Sequence, residues 1–358
     1  MKTYIFKRLL LILPSMFGIT VITFGIIRMA PGDPAAMRVG SSLTGSIRNQ
    51  QYAQAIIEKT RIEFGLDKRL PDKYTVALQK IFQSQKAGDW ISKMTAQYLI
   101  WVKKIVTLDF GRSYKDHRPV MEKIKERLPV TLQLNIISLL LTYLIAIPIG
   151  IYSSTHQFTF GDKATTVVLF ILYSLPSFWV ATILILFLCG GDYLHLFPLT
   201  GLNSLGAEKM SSWQWLMDRL WHLVLPVACL TYAELAFVSR QMRAGMLEVI
   251  RQDYIRTARA KGLKEHAVVY HHALRNSLIP IITLLGFILP EMLGGSVIIE
   301  SIFTIRGMGQ LGFEAILSRD YPVVMAISTI AAFLTLIGIL LSDLCYAMVN
   351  PTISLEAE

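Results

Sequence analysis

Six stretches of this chain contain no Asp, Glu, Lys or Arg: residues 9–27, 128–154, 164–191, 220–233, 276–290 and 321–342. A lipid-facing surface cannot hold charge and a soluble surface needs it, so such windows restrict the chain to membrane folds more tightly than any other feature. A helix rising 1.5 Å per residue crosses ~30 Å of hydrocarbon in about 20 apolar residues. The first, second, third and sixth windows are long enough unaided. The fourth extends past Glu234 to Ser239, and the fifth past Glu291 to Ile299. Six spans are therefore expected. Composition agrees, with 53% hydrophobic and only 17% charged residues, against about 25% charged in soluble domains. A membrane β-barrel alternates polarity over ~10-residue strands, and these continuous apolar runs do not. The first window follows Lys2, Lys7 and Arg8 as a signal peptide does, but it is 19 residues long and lacks a small-x-small cleavage site before Arg28. It is expected to stay as the first helix.

Residues 28–127 form a long polar interval, opened by Ala30-Pro31-Gly32-Asp33-Pro34, which stops a helix. Amphipathic stretches over 49–64, 72–85 and 91–108, separated by Gly65, Pro71 and Gly88, predict a small helical domain outside the bilayer. The chain is thus expected to comprise a first helix (1–28), an exterior insertion (29–127), a membrane core (128–350) with its polar loop at 240–280, and a short tail (351–358). Basic residues in short loops mark the cytoplasmic side. The 240–275 loop has eight, against Glu248, Asp253 and Glu265, and the N-terminus has three. Both termini and this loop are expected to be cytoplasmic. The 28–127 interval carries 19 Lys/Arg against 10 Asp/Glu and pulls the other way, although long segments translocate largely regardless of charge. The net charge of +10 is dispersed among spans and exterior rather than gathered into a patch, and no nucleic-acid partner is expected.

The 253–280 loop carries the strongest functional signal. Residues 253–261 favour helix, with Ala258, Ala260 and the three basic side chains of Arg256, Arg259 and Lys261. Thr257, Ala258 and Ala260 are small enough to let a partner surface approach. Gly262 is placed to end the helix in the left-handed conformation, and a second helix is expected over about 264–275. Residue chemistry leaves two readings open: a lever that docks into a cytoplasmic partner, or a basic segment resting on anionic headgroups.

This loop resembles that of ABC importer permeases of the oligopeptide/dipeptide/nickel branch. The likeness runs through Leu247-Glu248-Val249-Ile250, Asp253–Leu263 and His272-Ala273-Leu274-Arg275-Asn276-Ser277-Leu278-Ile279-Pro280. It continues in Phe64-Gly65-Leu66-Asp67, Asp109-Phe110-Gly111-Arg112-Ser113, Arg127-Leu128-Pro129-Val130-Thr131-Leu132, Leu293-Gly294-Gly295 with Glu300 and Phe303, and Arg319-Asp320-Tyr321-Pro322-Val323-Val324. Arg256 and Thr257 replace the Glu-Ala of the broader permease pattern, as the peptide branch also does. Arg306 stands where the branch usually has Pro, and 83–96 resembles an insertion. The resemblance implies an all-α, six-helix type I importer (MetI-like) permease fold in the inner membrane. It implies no catalysis and no cofactor. A second permease subunit, two ABC ATPase subunits and an extracytoplasmic substrate-binding protein are the implied partners, with the bilayer as surroundings. The ATPases are then expected to grip Asp253, Tyr254, Arg256, Thr257, Ala258, Ala260, Lys261 and Gly262. No Gly-Lys-Ser/Thr phosphate motif is present, so ATP is hydrolysed elsewhere.

Glu234 and Glu291 lie within spans, where an ionisable group is a functional candidate. They either line a translocation path, where they could meet a peptide's amino terminus, or pair with neighbouring helices. A proton-coupled secondary transporter is the competing function, using Glu234, Glu291 or Asp343 as carriers; it leaves the 253–280 loop unexplained. Asp343 reads as an interface anchor. Pro148, Pro176, Pro226 and Pro290 kink spans or merely pack, and Gly294-Gly295 permit close helix approach. His271-His272 point about 100° apart on a helix and do not make a metal site alone. Cys189, Cys229 and Cys345 have no metal or redox spacing, and His195 and His222 read as interfacial.

Overall fold

The computed structural model describes residues 2–29, 54–59, 85–190 and 193–349, with Val76 and Gln79. The landmarks at 30–34 and 64–67, most of the stretches at 49–64 and 72–85, and the 351–358 tail lie outside the described residues. Among those described the protein is helical, with an isolated β-bridge between Arg112 and Pro119. The long helices are α1 (Lys2–Met29), α2 (Gln85–Val106), α3 (Val120–Thr155), α4 (Phe160–Ser174), α5 (Ser177–Leu188) and α6 (Ser212–Ile250). The short α7 (Asp253–Ala260) follows. Then come α8 (Glu265–Ala267), a π-helical turn (Val268–Ala273) and α9 (Leu274–Ser277). The C-terminal part holds α10 (Ile279–Gly294), α11 (Val297–Ile302), α12 (Met308–Leu317) and α13 (Tyr321–Val349).

Among the described residues four helices, α1, α3, α6 and α13, are long and apolar enough to cross a membrane, and α4 with α5 makes a fifth crossing if the bent pair counts as one. The expected count of six is not reached by length alone. Helix α10 has 16 residues and spans about 24 Å, short of the hydrocarbon thickness. The third expected span is broken: α4 and α5 meet at 93°. Leu175, preceding Pro176, sits at φ −84°, ψ 123°, because the proline ring excludes helical geometry from its predecessor. Pro148 and Pro226, by contrast, stay inside unbroken helices. Helix α6 is longer than hydrophobicity predicts, since Ser211 and Gln214 form a reciprocal capping box at its start that satisfies orphan N–H groups. Its far end runs to Ile250, so the first eleven residues of the expected 240–275 loop are helix. Gly88, taken from sequence as a separator, lies inside α2.

The chain divides into two compact units. One comprises Met1–Ile12, Glu126–Leu311 and Ala331–Glu358; the other comprises Leu13–Lys125 and Gly312–Ile330. In the first, a cluster of Ala146, Val238, Met242, Met246, Ile255, Ala258, Val268, Val269 and Ala273 joins α3, α6, α7 and the π-turn. A second cluster joins Leu134, Ala181, Cys229, Ile299, Phe303 and Ile305. Gly245 admits the approach of α9: a Cβ there would lie 2.8 Å from the Ser277 carbonyl oxygen. Arg8 pairs with Asp343 at 3.2 Å. In the second unit, Phe24 packs on Tyr98 and Trp101. There Asp320, 1% exposed, accepts from the Ser113 hydroxyl and from the Tyr114 N–H at 2.8 Å. Lys123 lies 3.9 Å from the same carboxylate and 2.8 Å from Asp116. Two motifs 200 residues apart in sequence, 109–113 and 319–324, thus meet in one buried polar clasp.

Candidate functional site

Helix α7 is amphipathic on a small scale. Ile255 and Ala258, three residues apart, turn inward and are 0% and 7% exposed, while Asp253, Tyr254, Arg256, Thr257, Ala260, Lys261 and Gly262 are exposed. Ala258 therefore does not belong to the open small-residue face expected from sequence. It is the anchor that, with Ile255, seats the helix on the α3–α6 core. The exposed face is left with Thr257 and Ala260 as its small residues, flanked by Tyr254, Arg256 and Lys261. Tyr254 accepts a hydrogen bond from Asn276 at 2.8 Å, which ties α7 to α9.

Gly262 ends α7 as expected, with φ +77°. Its N–H donates to the Arg259 carbonyl at 2.9 Å, and Leu263 N–H donates to the Ala258 carbonyl at 3.4 Å. These are the paired 5→2 and 6→1 bonds of a Schellman cap. Immediately beyond it, Arg259 makes a forked contact to Glu265 at 3.0 and 2.6 Å, joining α7 to the next segment. That hydrogen bonding holds the Glu265 carboxyl below its ordinary 4.5, against a smaller upward push from burial. A carboxylate depressed in the folded state stabilises it above the unfolded value, and the effect disappears as pH falls through the folded value. Amide-exchange protection of 253–263 is therefore expected to drop as pH is lowered below 4.5, and Glu265→Gln should flatten that dependence. Equal pH profiles for the two proteins would count against the clamp.

His271 and His272 are exposed on the π-turn. Among the described residues no group of three His, Cys, Asp or Glu could hold a metal. His222 is buried, its Nδ1 lying 2.8 Å from the Asp218 carbonyl oxygen.

Glu234 and Glu291 come together. Both border one cavity of about 480 Å³, walled also by Asn135, Ser138, Thr142 and Tyr143. Asn135 donates to the Glu291 and Met292 carbonyls at 3.3 Å, and Ser138 bonds Thr231 at 3.2 Å. The two glutamates are exposed to this space, and among the described residues no Lys or Arg borders it. Ion pairing with a neighbouring helix, the alternative reading, finds no partner among the described wall residues.

Glu300 is the residue whose importance the sequence understates. It is 1% exposed, accepting from the Thr131 hydroxyl at 3.1 Å and the Gln310 N–H at 2.8 Å. Thr131 in turn accepts from the Met308 N–H at 2.7 Å. Gly295 and Gly307 leave room for the carboxylate, since a Cβ on either would collide with it. Within the Gly294-Gly295 pair it is Gly295 that serves this carboxylate, at φ +62°, while a Cβ on Gly294 would meet open space. The sequence signal was the Gly-Gly…Glu…Gly-x-Gly spacing, which says nothing of what the glycines enclose.

Comparison with known proteins accounts for nearly the whole chain. Residues 1–135 match the family described as the N-terminal part of the binding-protein-dependent transport system membrane component. Residues 146–355 match the binding-protein-dependent transport system inner membrane component. The chain is 38% identical over 354 residues to the oligopeptide transport system permease protein AppB of Bacillus subtilis (strain 168), covering 99% of each. To the dipeptide transport system permease protein DppB of Escherichia coli (strain K12) it is 31% identical over 367 residues, again covering 99% of each. Among solved structures it is similar to inward-facing MetNI methionine ABC transporter, at 17% identity and a TM-score of 0.48, covering 64% of this chain and 97% of that one. The chain belongs to the inner-membrane components of binding-protein-dependent transport systems: it is a multi-pass permease subunit of an ABC importer, working with separate ATPase and substrate-binding proteins.

Proposed function

We propose that the chain forms half of the passage of a peptide importer and that α7, with its exposed Asp253, Tyr254, Arg256, Thr257, Ala260, Lys261 and Gly262, is the surface gripped by an ATPase subunit. The observation that carries the reading is a short helix anchored by Ile255 and Ala258 on the core that also holds α3 and α6. A push on its outer face reaches the spans through packed side chains rather than through a slack loop. ATP-driven closure of two ATPases is then one end of a two-state equilibrium, and cargo delivery by the binding protein is the other. Peptides are favoured as cargo because AppB and DppB carry those names; a nickel chelate or related small solute is served by the same chemistry of passage. A different permease subunit completes the passage, making a heterodimer. In this arrangement both termini and 240–280 face the cytoplasm, 29–127 lies outside, α10 counts as the sixth span, and Glu234 and Glu291 line the route.

The test is purification of the tagged chain in mild detergent, followed by uptake of labelled di- and oligopeptides by cells with and without it. Recovery of a second permease and an ATPase, with uptake that needs the chain and ATP, is expected. A lone homo-oligomer that moves solute under a proton gradient would overturn the proposal in favour of secondary transport.

A further inference from the structure

Phe237 of α6 borders two cavities. On one side is the 480 Å³ cavity, whose charged wall residues are Glu234 and Glu291. On the other is a cavity of about 690 Å³ between α3, α4 and α6, whose charged wall residues are Arg240 and Arg243. Arg243 is committed: it bonds Asp162 at 3.0 Å and Thr166 at 3.3 Å. Arg240 is differently placed. Its guanidinium lies 4.8 Å from the centroid of the Tyr173 ring, and among the described residues no carboxylate pairs with it. Ser239, beside the second cavity, is 2% exposed, and among the described residues its hydroxyl has no hydrogen-bond partner. That hydroxyl is enclosed in protein, so the polar group this wall offers to a ligand is the Arg240 guanidinium, a cation free of carboxylate among the described residues.

We propose that the two cavities are consecutive stations of one passage along α6, divided by Phe237, the first taking a cationic group and the second an anionic group of the same cargo. This rests on the reading of the chain as a peptide-importer permease, and it narrows the cargo. Glu234 and Arg240 are six residues apart on one helix, about 9 Å along its axis and about 120° around it, so their charged tips lie farther apart than the axial rise. At about 3.3–3.6 Å per extended residue, a peptide of about three to five residues with both ends free puts its ammonium group at the glutamates and its carboxylate at Arg240. The apolar remainder of both walls accepts side chains without reading them.

Thiol labelling of the assembled transporter in membrane vesicles tests the charge assignment without using transport. Ala233→Cys reports the first cavity and Ala244→Cys the second; the unsubstituted chain, whose buried Cys229 also borders the first cavity, sets the background. A trimethylammonium methanethiosulfonate should label Ala233→Cys about fivefold faster than its sulfonate counterpart, the ratio for one screened charge at close range. The preference should reverse at Ala244→Cys. Glu234→Gln with Glu291→Gln should abolish only the first preference, and Arg240→Gln only the second. Phe237→Ala should speed labelling of Ala233→Cys by reagent supplied from the Ala244 side, while Phe237→Leu, which keeps the bulk, should not. The same preference at both positions, preferences indifferent to the charge variants, or no effect of Phe237→Ala overturns the proposal. So does protection of Ala244→Cys that tracks the anionic phospholipid content of the vesicles, because a headgroup then fills the second cavity. If peptide uptake fails while the opposite preferences persist, the peptide reading falls and the two-station passage stands.

Discussion

Gly262→Val is expected to reduce ATP-coupled uptake by about 5–30-fold while leaving the chain in the membrane. Gly262 holds φ +77°, and placing an ordinary L-residue there costs about 1–2 kcal/mol. A β-branched side chain is the least tolerant choice. No neighbouring atom lies within 4 Å of a Cβ built on Gly262, so the penalty is one of backbone and not of collision. The strained cap competes with conformers in which the 262→259 and 263→258 bonds are lost and the exposed face of α7 is misaligned. A penalty of this size lowers the docking-competent fraction by the quoted factor, and apparent ATPase affinity falls with it. Gly262→Asn separates backbone from bulk, because Asn enters the left-handed region readily; it should retain most of the uptake. The measurements are ATPase recovered with the tagged chain and peptide uptake per transporter. Normal assembly and uptake in Gly262→Val would sink the docking role.

Glu300→Ala is expected to be the most destabilising single change in the 295–310 segment. It strands the Gln310 N–H and the Thr131 hydroxyl in a site that is 1% exposed, and each stranded buried donor costs about 1–3 kcal/mol. A clear fall in the thermal midpoint of the detergent-purified chain should follow. Gly307→Ala should also destabilise, because its methyl group would collide with the Glu300 carboxylate. The two changes should not add: once the carboxylate is gone the methyl group has space, and coupling of that kind marks residues in contact. Additive losses would show that a glycine is needed at 307 for some reason other than this carboxylate.

The membrane class, the helical content, the cap at Gly262 and the polar 253–280 loop were all legible in the sequence. Each is set by local chemistry: charge-free length, a helix-forming run, and one residue without a Cβ. Where the sequence misled, a non-local or purely conformational term intervened. The third span reads as continuous by hydropathy, but Pro176 fixes Leu175 out of the helix and turns the chain by 93°. Thr257, Ala258 and Ala260 look equivalent by size; only the packing of Ile255 and Ala258 against α6 and the π-turn decides that Ala258 faces inward.

The same division holds for the sites. The sequence by itself marked Glu234 and Glu291 because an ionisable group in an apolar run is costly, and family resemblance marked Asp320 and Glu300 without saying what they do. Tertiary structure alone brought Glu234 and Glu291 to one cavity from helices 57 residues apart in sequence, joined Ser113 to Asp320, and enclosed Glu300 between Thr131, Gln310 and the glycines at 295 and 307. The physical reason is one of range. Burial cost and backbone conformation act within a few residues and are written in the local sequence, whereas which buried group finds which partner is settled only when distant helices pack.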